Sequence, residues 1–445
     1  MRAKHTLILF AFFLIGLTAL QAQEEPLNSV TVESRSYQLY LDKNWKELCS
    51  FGNKAIAQDF DYYFLRLRIG IAYFERTDYY MAEKHFKKAL GFNASDPLSQ
   101  EYLYYCYLYT SRYEDAKWLS KSFSDELAKR LGTDHGSPVT YMGFEGGMKI
   151  PSARDTFNVG KFFQVGLGHY IFKRISFYHS FNYYNQQSYA STHSGNVALN
   201  PQNHYDTIQR RQYHVAKGTQ LHYFLKANIP FKNNFLLSAS AHYLHDFTTN
   251  ENYDTTRTVH EAPPAGMPKP PVDVSDTLVT NKKNHPSYLV TLALRKRIAH
   301  IEVWLGFTYN HVDVVTQYQE NIGIEYHPTG NDKLAFGING YMHTENSFAK
   351  NSYAVAPYVS FRPVNKLTVG LDYMYNTDNN IVEFSGYYVN NSRFFTKYRS
   401  AVSLSYQASS KLIVYGNYAY EHKYVSGNNF DFNNNIFLIG ITMIL

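Results

Sequence analysis

From Val139 to Leu445, apolar and polar residues alternate in about fourteen runs, joined by connections that are alternately short and long. In the run Ala299 to Asn310, the residues Ala299, Ile301, Val303, Leu305, Phe307 and Tyr309 share one face. His300, Glu302, Trp304, Gly306, Thr308 and Asn310 share the other. A run of roughly a dozen residues, apolar on one side, is long enough for a tilted crossing of a hydrocarbon layer. The dyad recurs with Leu221, Tyr223, Leu225, Ala227 and Ile229, with Leu367, Val369, Leu371 and Tyr373, and with Tyr398, Val402, Leu404 and Tyr406. Strands of soluble sandwiches and propellers also alternate, but usually over about five or six residues. The pattern therefore predicts an antiparallel transmembrane β-barrel of about fourteen strands over 139–445.

Before it, from Leu27 to Leu131, the periodicity is helical. Trp45, Tyr79 and Tyr113 are 34 residues apart, as are Tyr73 and Tyr107, Ala82 and Ala116, and Ala55 and Ala89. A period of this length is that of a helical-hairpin repeat, so 27–131 is expected to be a small α-solenoid of about three repeats. Gly70, Tyr73, Ala82, Phe86 and Ala89, with Tyr107 and Ala116 one period on, resemble the small and aromatic positions of the tetratricopeptide repeat. That resemblance implies paired helices packed at those positions and a surface that docks a peptide or protein. A spacer or plug-support role is the alternative. Cys49 and Cys106 read as small buried apolar residues, with a disulfide between them as the alternative.

The N-terminus reads as an export signal over 1–22: Arg2 and Lys4, an apolar stretch from Leu7 to Leu20, and a small residue at Ala22. After it, no apolar run could form a spanning helix. Aromatics make up 17% of the chain, with 41 Tyr and 31 Phe, as the interfacial girdles of a barrel require. A net charge of +6 without a Lys/Arg cluster does not point to nucleic acid.

Short connections are expected at Phe172 to Arg174, Pro230 to Asn234, Arg297 to His300, His327 to Asp332, Arg362 to Asn365 and Ala408 to Lys411. Longer ones are expected near Ser188 to Gln209, Thr248 to Asn284 and Thr377 to Phe394. Short turns face the periplasm in bacterial barrels, which would place both chain ends and the repeats there. Asn380 to Asn391 reads as a hairpin above the membrane or as two further strands. The segment Pro263 to Pro271, dense in proline, reads as extended polyproline structure. Glu320, on an apolar face, and Pro357, inside a regular run, each suggest a bulge or bend.

Ten charges fall on the inward faces: Glu145, Lys226, Arg295, Arg297, Glu302, Glu325, Asp372, Lys397, Arg399 and Glu421. Mixed signs suit a watery passage or a salt-bridged interior. No phosphate-binding glycine loop, metal-ligand spacing or nucleophile elbow is present, so no enzyme activity, cofactor or metal is expected. The last run, with Phe437, Ile439, Ile441, Met443 and Leu445 on one face, resembles the C-terminal signal read by barrel-assembly machinery, with Leu445 in place of the usual aromatic. Signal, repeats and barrel in this order resemble outer-membrane exporters: polysaccharide-export porins, Slam-type translocators and YaiO-like proteins. The resemblance implies an outer-membrane protein that docks a periplasmic partner and assists export or surface assembly of a protein or polysaccharide. The alternative is a non-conducting anchor with surface loops for adhesion or complex assembly.

Overall fold

The computed structural model describes residues 27–134, 139–172, 174–199, 205–260, 272–312, 315–345, 350–376, 381–383, 388–389, 394–424 and 430–445. The export signal, the proline-dense segment and parts of the predicted long connections lie outside these residues. The chain forms two compact units, 1–103 and 104–445, the division falling within one helix.

The helical part comprises α1 (Ser29–Leu41), α2 (Trp45–Ala57), α3 (Tyr63–Glu75), α4 (Tyr79–Phe92), α5 (Pro97–Tyr109), α6 (Tyr113–Leu119) and α7 (Asp125–Arg130). The 34-residue period is a period of backbone geometry. Helices α2, α4 and α6 start at Trp45, Tyr79 and Tyr113. Each is preceded by a residue with positive φ, Lys43, Thr77 and Ser111. In each turn the next amide donates back into the preceding helix: Asn44 to Leu39, Asp78 to Tyr73 and Arg112 to Tyr107. In the first unit Gly70 lets α3 approach α4 closely, since a Cβ there would fall 2.7 Å from the Phe86 ring. Phe86, Ala82 and Ala89 are fully buried, and Phe86 stacks on Tyr102 at 5.1 Å. Cys49 and Cys106 are buried free thiols.

The second unit contains a closed antiparallel barrel of fourteen strands. They are β1 (Val139–Pro151), β2 (Gly160–Ile171), β3 (Ile175–Leu199), β4 (Tyr205–Phe231), β5 (Phe235–Val259), β6 (Val272–Ile298), β7 (Ile301–Val312), β8 (Val315–Tyr326), β9 (Leu334–Glu345), β10 (Lys350–Val364), β11 (Leu367–Asn376), β14 (Phe395–Ser409), β15 (Leu412–Tyr424) and β16 (Asp431–Ile444). The β1–β16 ladder closes the ring, so no strand in the crossing zone has a free edge. The two-residue strands β12 (Val382–Glu383) and β13 (Tyr388–Val389) pair only with each other. Outward positions are apolar and open, as with Leu305, Ile322 and Ile439, while the inward face of the same strands is polar and buried, as with Glu302, Thr308 and Gln319. That inversion relative to a water-soluble protein is what a hydrocarbon solvent demands. Among the described residues no helix is long and apolar enough to cross a membrane.

Three expectations change. Ser188 to Leu199, Tyr205 to Gln209, Thr248 to Val259 and Val272 to Asn284 are not loops but parts of the outer halves of β3 to β6, which run to between 25 and 27 residues while β2 and β7 have 12. Outside the hydrocarbon both sheet faces meet water, so the apolar dyad stops although the ladder continues. No bulge forms at Glu320 or Pro357. The β8 ladders run through Glu320 in register, and β10 keeps its β9 register through Pro357. Strand β7 begins at Ile301 rather than Ala299, because Ala299 takes a positive φ in the turn from β6.

Candidate functional site: the barrel interior

Rings laid on glycines line much of the inner wall. Trp304 faces Gly323, Tyr358 faces Gly337, Tyr415 faces Gly440 and Tyr141 faces Gly168 across neighbouring strands. A Cβ at any of these glycines would overlap the ring, so the absent side chain is what lets each aromatic lie flat on the wall. The ring hydroxyls then reach inward: Tyr358 donates to Glu325 at 2.5 Å and Tyr415 to Glu145 at 2.9 Å.

Nine of the ten candidate charges belong to this inner face. Glu302 is buried between Arg295, at 2.8 Å, and Arg297, at 2.5 Å. Arg295 also covers the Trp304 ring at 5.4 Å. His327 lies 2.7 Å from Glu325. Arg399 grips Glu383 with both terminal nitrogens, at 2.6 and 2.8 Å, and Asp372 lies 3.6 Å away. Glu421 is flanked by Lys423 at 3.8 Å and Lys149 at 4.0 Å, while Lys423 donates to Thr396 at 2.8 Å. Lys226 lies on the β4 inner face beside the Tyr178 and Ser240 positions. Lys397 stands apart: the β14 register shifts between Thr396 and Tyr398, and the extra residue is exposed and away from these clusters. Opposite charges thus meet in pairs rather than presenting one sign to the passage.

Glu383 comes from the connection between β11 and β14, and it shows where that segment goes. Ile381, Val382 and Glu383 are all but fully buried. Ile381 packs with Tyr341, Ala354, Ala356 and Met374, and Val382 with Leu244 and Leu289. Gln319 donates to the Val382 carbonyl at 2.6 Å and accepts from its amide at 2.9 Å. Ile381 to Glu383 therefore pack inside the barrel, while most of the rest of Asn380 to Asn391 lies outside the described residues. Burying each of the two aliphatic side chains is worth about 1.5–3 kcal/mol. Beside them remains a cavity of about 510 Å³, bordered by the Arg295–Glu302 and Arg399–Glu383 pairs and by Trp304.

At the short-connection end, the segment Thr110 to Trp118 is fastened to the same barrel. Ser111 donates to Asp332 at 2.6 Å, and Arg297 to the Thr110 carbonyl at 3.4 Å. Glu114 accepts from Ser176 at 2.9 Å and from Asn228 at 3.1 Å. Arg174 sits over Trp118 at 4.9 Å. Sequence reading passed over Ser111, Arg112 and Glu114, although the period marks them. Asn44 and Asp78 cap their own helices through side-chain oxygens. Arg112, one period later, cannot cap; it pairs with Asp115 at 2.6 Å and reaches Asn234 at 3.3 Å.

Of the proposed packing positions in the helical part, Gly70, Ala82, Phe86 and Ala89 surround one contact in the first unit. Tyr73, half-buried, accepts from Asn53 at 2.8 Å. In the second unit Tyr107 and Ala116 are buried, and Arg112 lies over the Tyr107 ring at 4.6 Å. His85 is buried with its Nδ1 3.3 Å from Arg66. Burial first, then the Arg66 and Lys84 charges, pushes its pKa down to about 3. The Arg66 hydrogen bond holds the Asp61 carboxyl below its usual range, and Arg68 does the same for Glu33. Among the described residues, no group of three or more His, Cys, Asp or Glu side chains is placed to hold a metal.

No family model and no curated protein matches the chain. Solved structures similar to it include the outer membrane protein Omp33 of Acinetobacter baumannii, at 11% identity and a TM-score of 0.33 over 70% of this chain and 100% of that one. The translocator domain of the autotransporter NalP from Neisseria meningitidis gives 9% and 0.32 over 75% and 98%. The P. putida toluene transporter TodX gives 6% and 0.37 over 69% and 90%. At these TM-scores nothing about activity passes from those proteins to this chain.

Proposed function

We propose that this is an outer-membrane β-barrel, closed at rest, that assists export or surface assembly of a macromolecule together with a periplasmic partner docked on its helical repeats. Its short connections then face the periplasm and its long ones the cell surface. The partners on this reading are outer-membrane lipid, the barrel-assembly machinery during biogenesis, and an unidentified periplasmic protein or export cargo. Neither nucleic acid nor an enzymatic substrate enters it. The observation that carries the reading is that two segments are tied to the barrel wall by exchangeable polar contacts beside the apolar burial of Ile381 and Val382: Arg399 on Glu383 and Gln319 on Val382, and Ser176 and Asn228 on Glu114. Contacts of this kind can be exchanged for others when a ligand or partner supplies them.

A second reading, a non-conducting anchor that holds an interaction module in the membrane, draws support from the pairing of the inward charges. Single-channel recording on the full chain separates the two. The export reading expects a small or absent conductance that rises at least several-fold in the double variant Arg399→Ala with Glu114→Ala. The anchor reading expects none in either form. Equal and measurable conductance in both forms would contradict closure at rest.

A further inference from the structure

Above the level at which β2 and β7 end, β3 to β6 continue as a four-stranded sheet with two side edges. The edges are not alike. On the β6 side, Val272 to Ser287 pairs with β5 alone among the described residues, and it carries Asp273, Asp276, Lys282, Lys283 and Pro286. Charges and proline of this kind guard an edge against further pairing. On the β3 side, the turn after β1 covers the edge as far as Tyr189, where Asn158 donates to the Gln187 carbonyl and Tyr189 to the Thr156 carbonyl. Beyond it, Ala190 to Leu199 pairs with β4 alone among the described residues and contains neither Pro, Asp, Glu, Lys nor Arg.

Those two bonds fix which groups the edge presents. If the backbones of Gln187 and Tyr189 point away from β4, the alternation of a strand makes Ser191, His193, Gly195 and Val197 do the same. Their amides and carbonyls form an open row, while those of Thr192, Ser194 and Asn196 are spent on β4. A charge lies behind the row. Arg210 is paired with Asp254 and Lys217 with Glu251, whereas Arg211 meets only the His193 ring, at 2.6 Å, among the described residues.

We propose that Ser191 to Val197 is a docking edge for an extended strand of a partner polypeptide, running antiparallel to β3 and carrying a carboxylate opposite His193. A residue in that position stands about 5 Å from His193 on the same face, within reach of the Arg211 guanidinium. A second copy in the same membrane does not fit. A four-stranded sheet is about 15 Å wide, whereas two barrels of fourteen strands need axes more than about 30 Å apart. The edges of two upright sheets thus never meet. The compartment of the partner rests on the orientation proposed above, but the edge itself does not, and the following test is blind to conductance.

The probe is a synthetic peptide of about ten residues, alternating Thr and Val with one central Glu, added to the full chain in lipid nanodiscs. Residue-resolved hydrogen exchange on the free protein should show the Ser191, His193, Gly195 and Val197 amides exchanging on the order of 100-fold faster than Thr192, Ser194 and Asn196. The peptide should protect the first set selectively. Val197→Pro and Ser191→Pro, each removing an open-side donor without touching the β4 ladder, should abolish that protection. Arg211→Gln, or Gln for Glu in the peptide, should weaken binding by about tenfold. Protection of the odd-numbered amides in the free protein, absence of binding, or binding that survives both proline variants would each overturn the proposal.

Discussion

The inner and outer halves of β3 to β6 are one continuous ladder in two solvents. Leu305 on β7 and Val274 on the outer half of β6 are equally open, at 62% and 60% exposure, yet lipid tails would surround the first and water the second. In the crossing zone most outward residues are apolar or aromatic, as with Ile301, Val303, Leu305 and Phe307, because lipid tails cannot satisfy a charge; Glu320, opposite Phe307, is an exception. Beyond it the same backbone carries Thr, Asn, Arg and Asp on both faces, as at Arg210 and Asp254. Exposure therefore does not identify the solvent. The residue types tolerated at equal exposure do.

That contrast can be broken by moving a charge. Leu305→Arg should destabilise the barrel by about 2–4 kcal/mol, because the side chain would stand near the middle of the apolar band. Val274→Arg should change stability by less than about 0.5 kcal/mol. Urea unfolding in lipid vesicles, followed by tryptophan fluorescence, measures both; equal effects would erase the distinction.

Glycine sharpens it from the inside. Gly323→Ala drives a methyl group into the Trp304 ring and should cost about 1–3 kcal/mol. Gly195 in the outer half has no neighbour nearer than 3.9 Å, and Gly195→Ala should instead stabilise by about 0.5 kcal/mol through reduced chain entropy. The same unfolding curves report both signs.

In the helical unit acid should act through one buried ring. His85 is held at about 3, below its ordinary 6.5, so the unfolded chain takes up its proton first. Its contribution to stability is complete above pH 6.5 and falls as the pH drops from 6.5 toward 3. Between pH 6.5 and about 5 the loss should be about 1.5 kcal/mol, read from the thermal midpoint of the helical circular dichroism signal. His85→Gln, which keeps an acceptor for Arg66, should flatten that slope. Glu33 and Asp61 add a loss of the same sign only at lower pH.

The sequence carried the barrel because the dyad is written wherever lipid is the solvent, and fourteen strands were countable from it. It carried the helical turns because the same geometry recurs at Lys43, Thr77 and Ser111. What it hid were elements without an amphipathic signature. The outer halves of β3 to β6 look like loops when both faces are polar. The placement of Ile381 and Val382 depends on Leu244, Leu289 and Met374, which lie on distant strands. Nine inward charges could be placed by parity alone; Lys397 could not, because a one-residue bulge resets parity. The contacts of Ser111 and Glu114 were signalled only by the break in capping at Arg112.

The most direct test is the solvent itself. Nitroxide labels at positions 305 and 274 of the full chain in nanodiscs, relaxed by oxygen and by a water-soluble nickel chelate, should respond oppositely: 305 to oxygen and 274 to nickel. Nickel relaxation of equal strength at both positions would mean that water bathes the Leu305 face, and the membrane barrel would have to be abandoned.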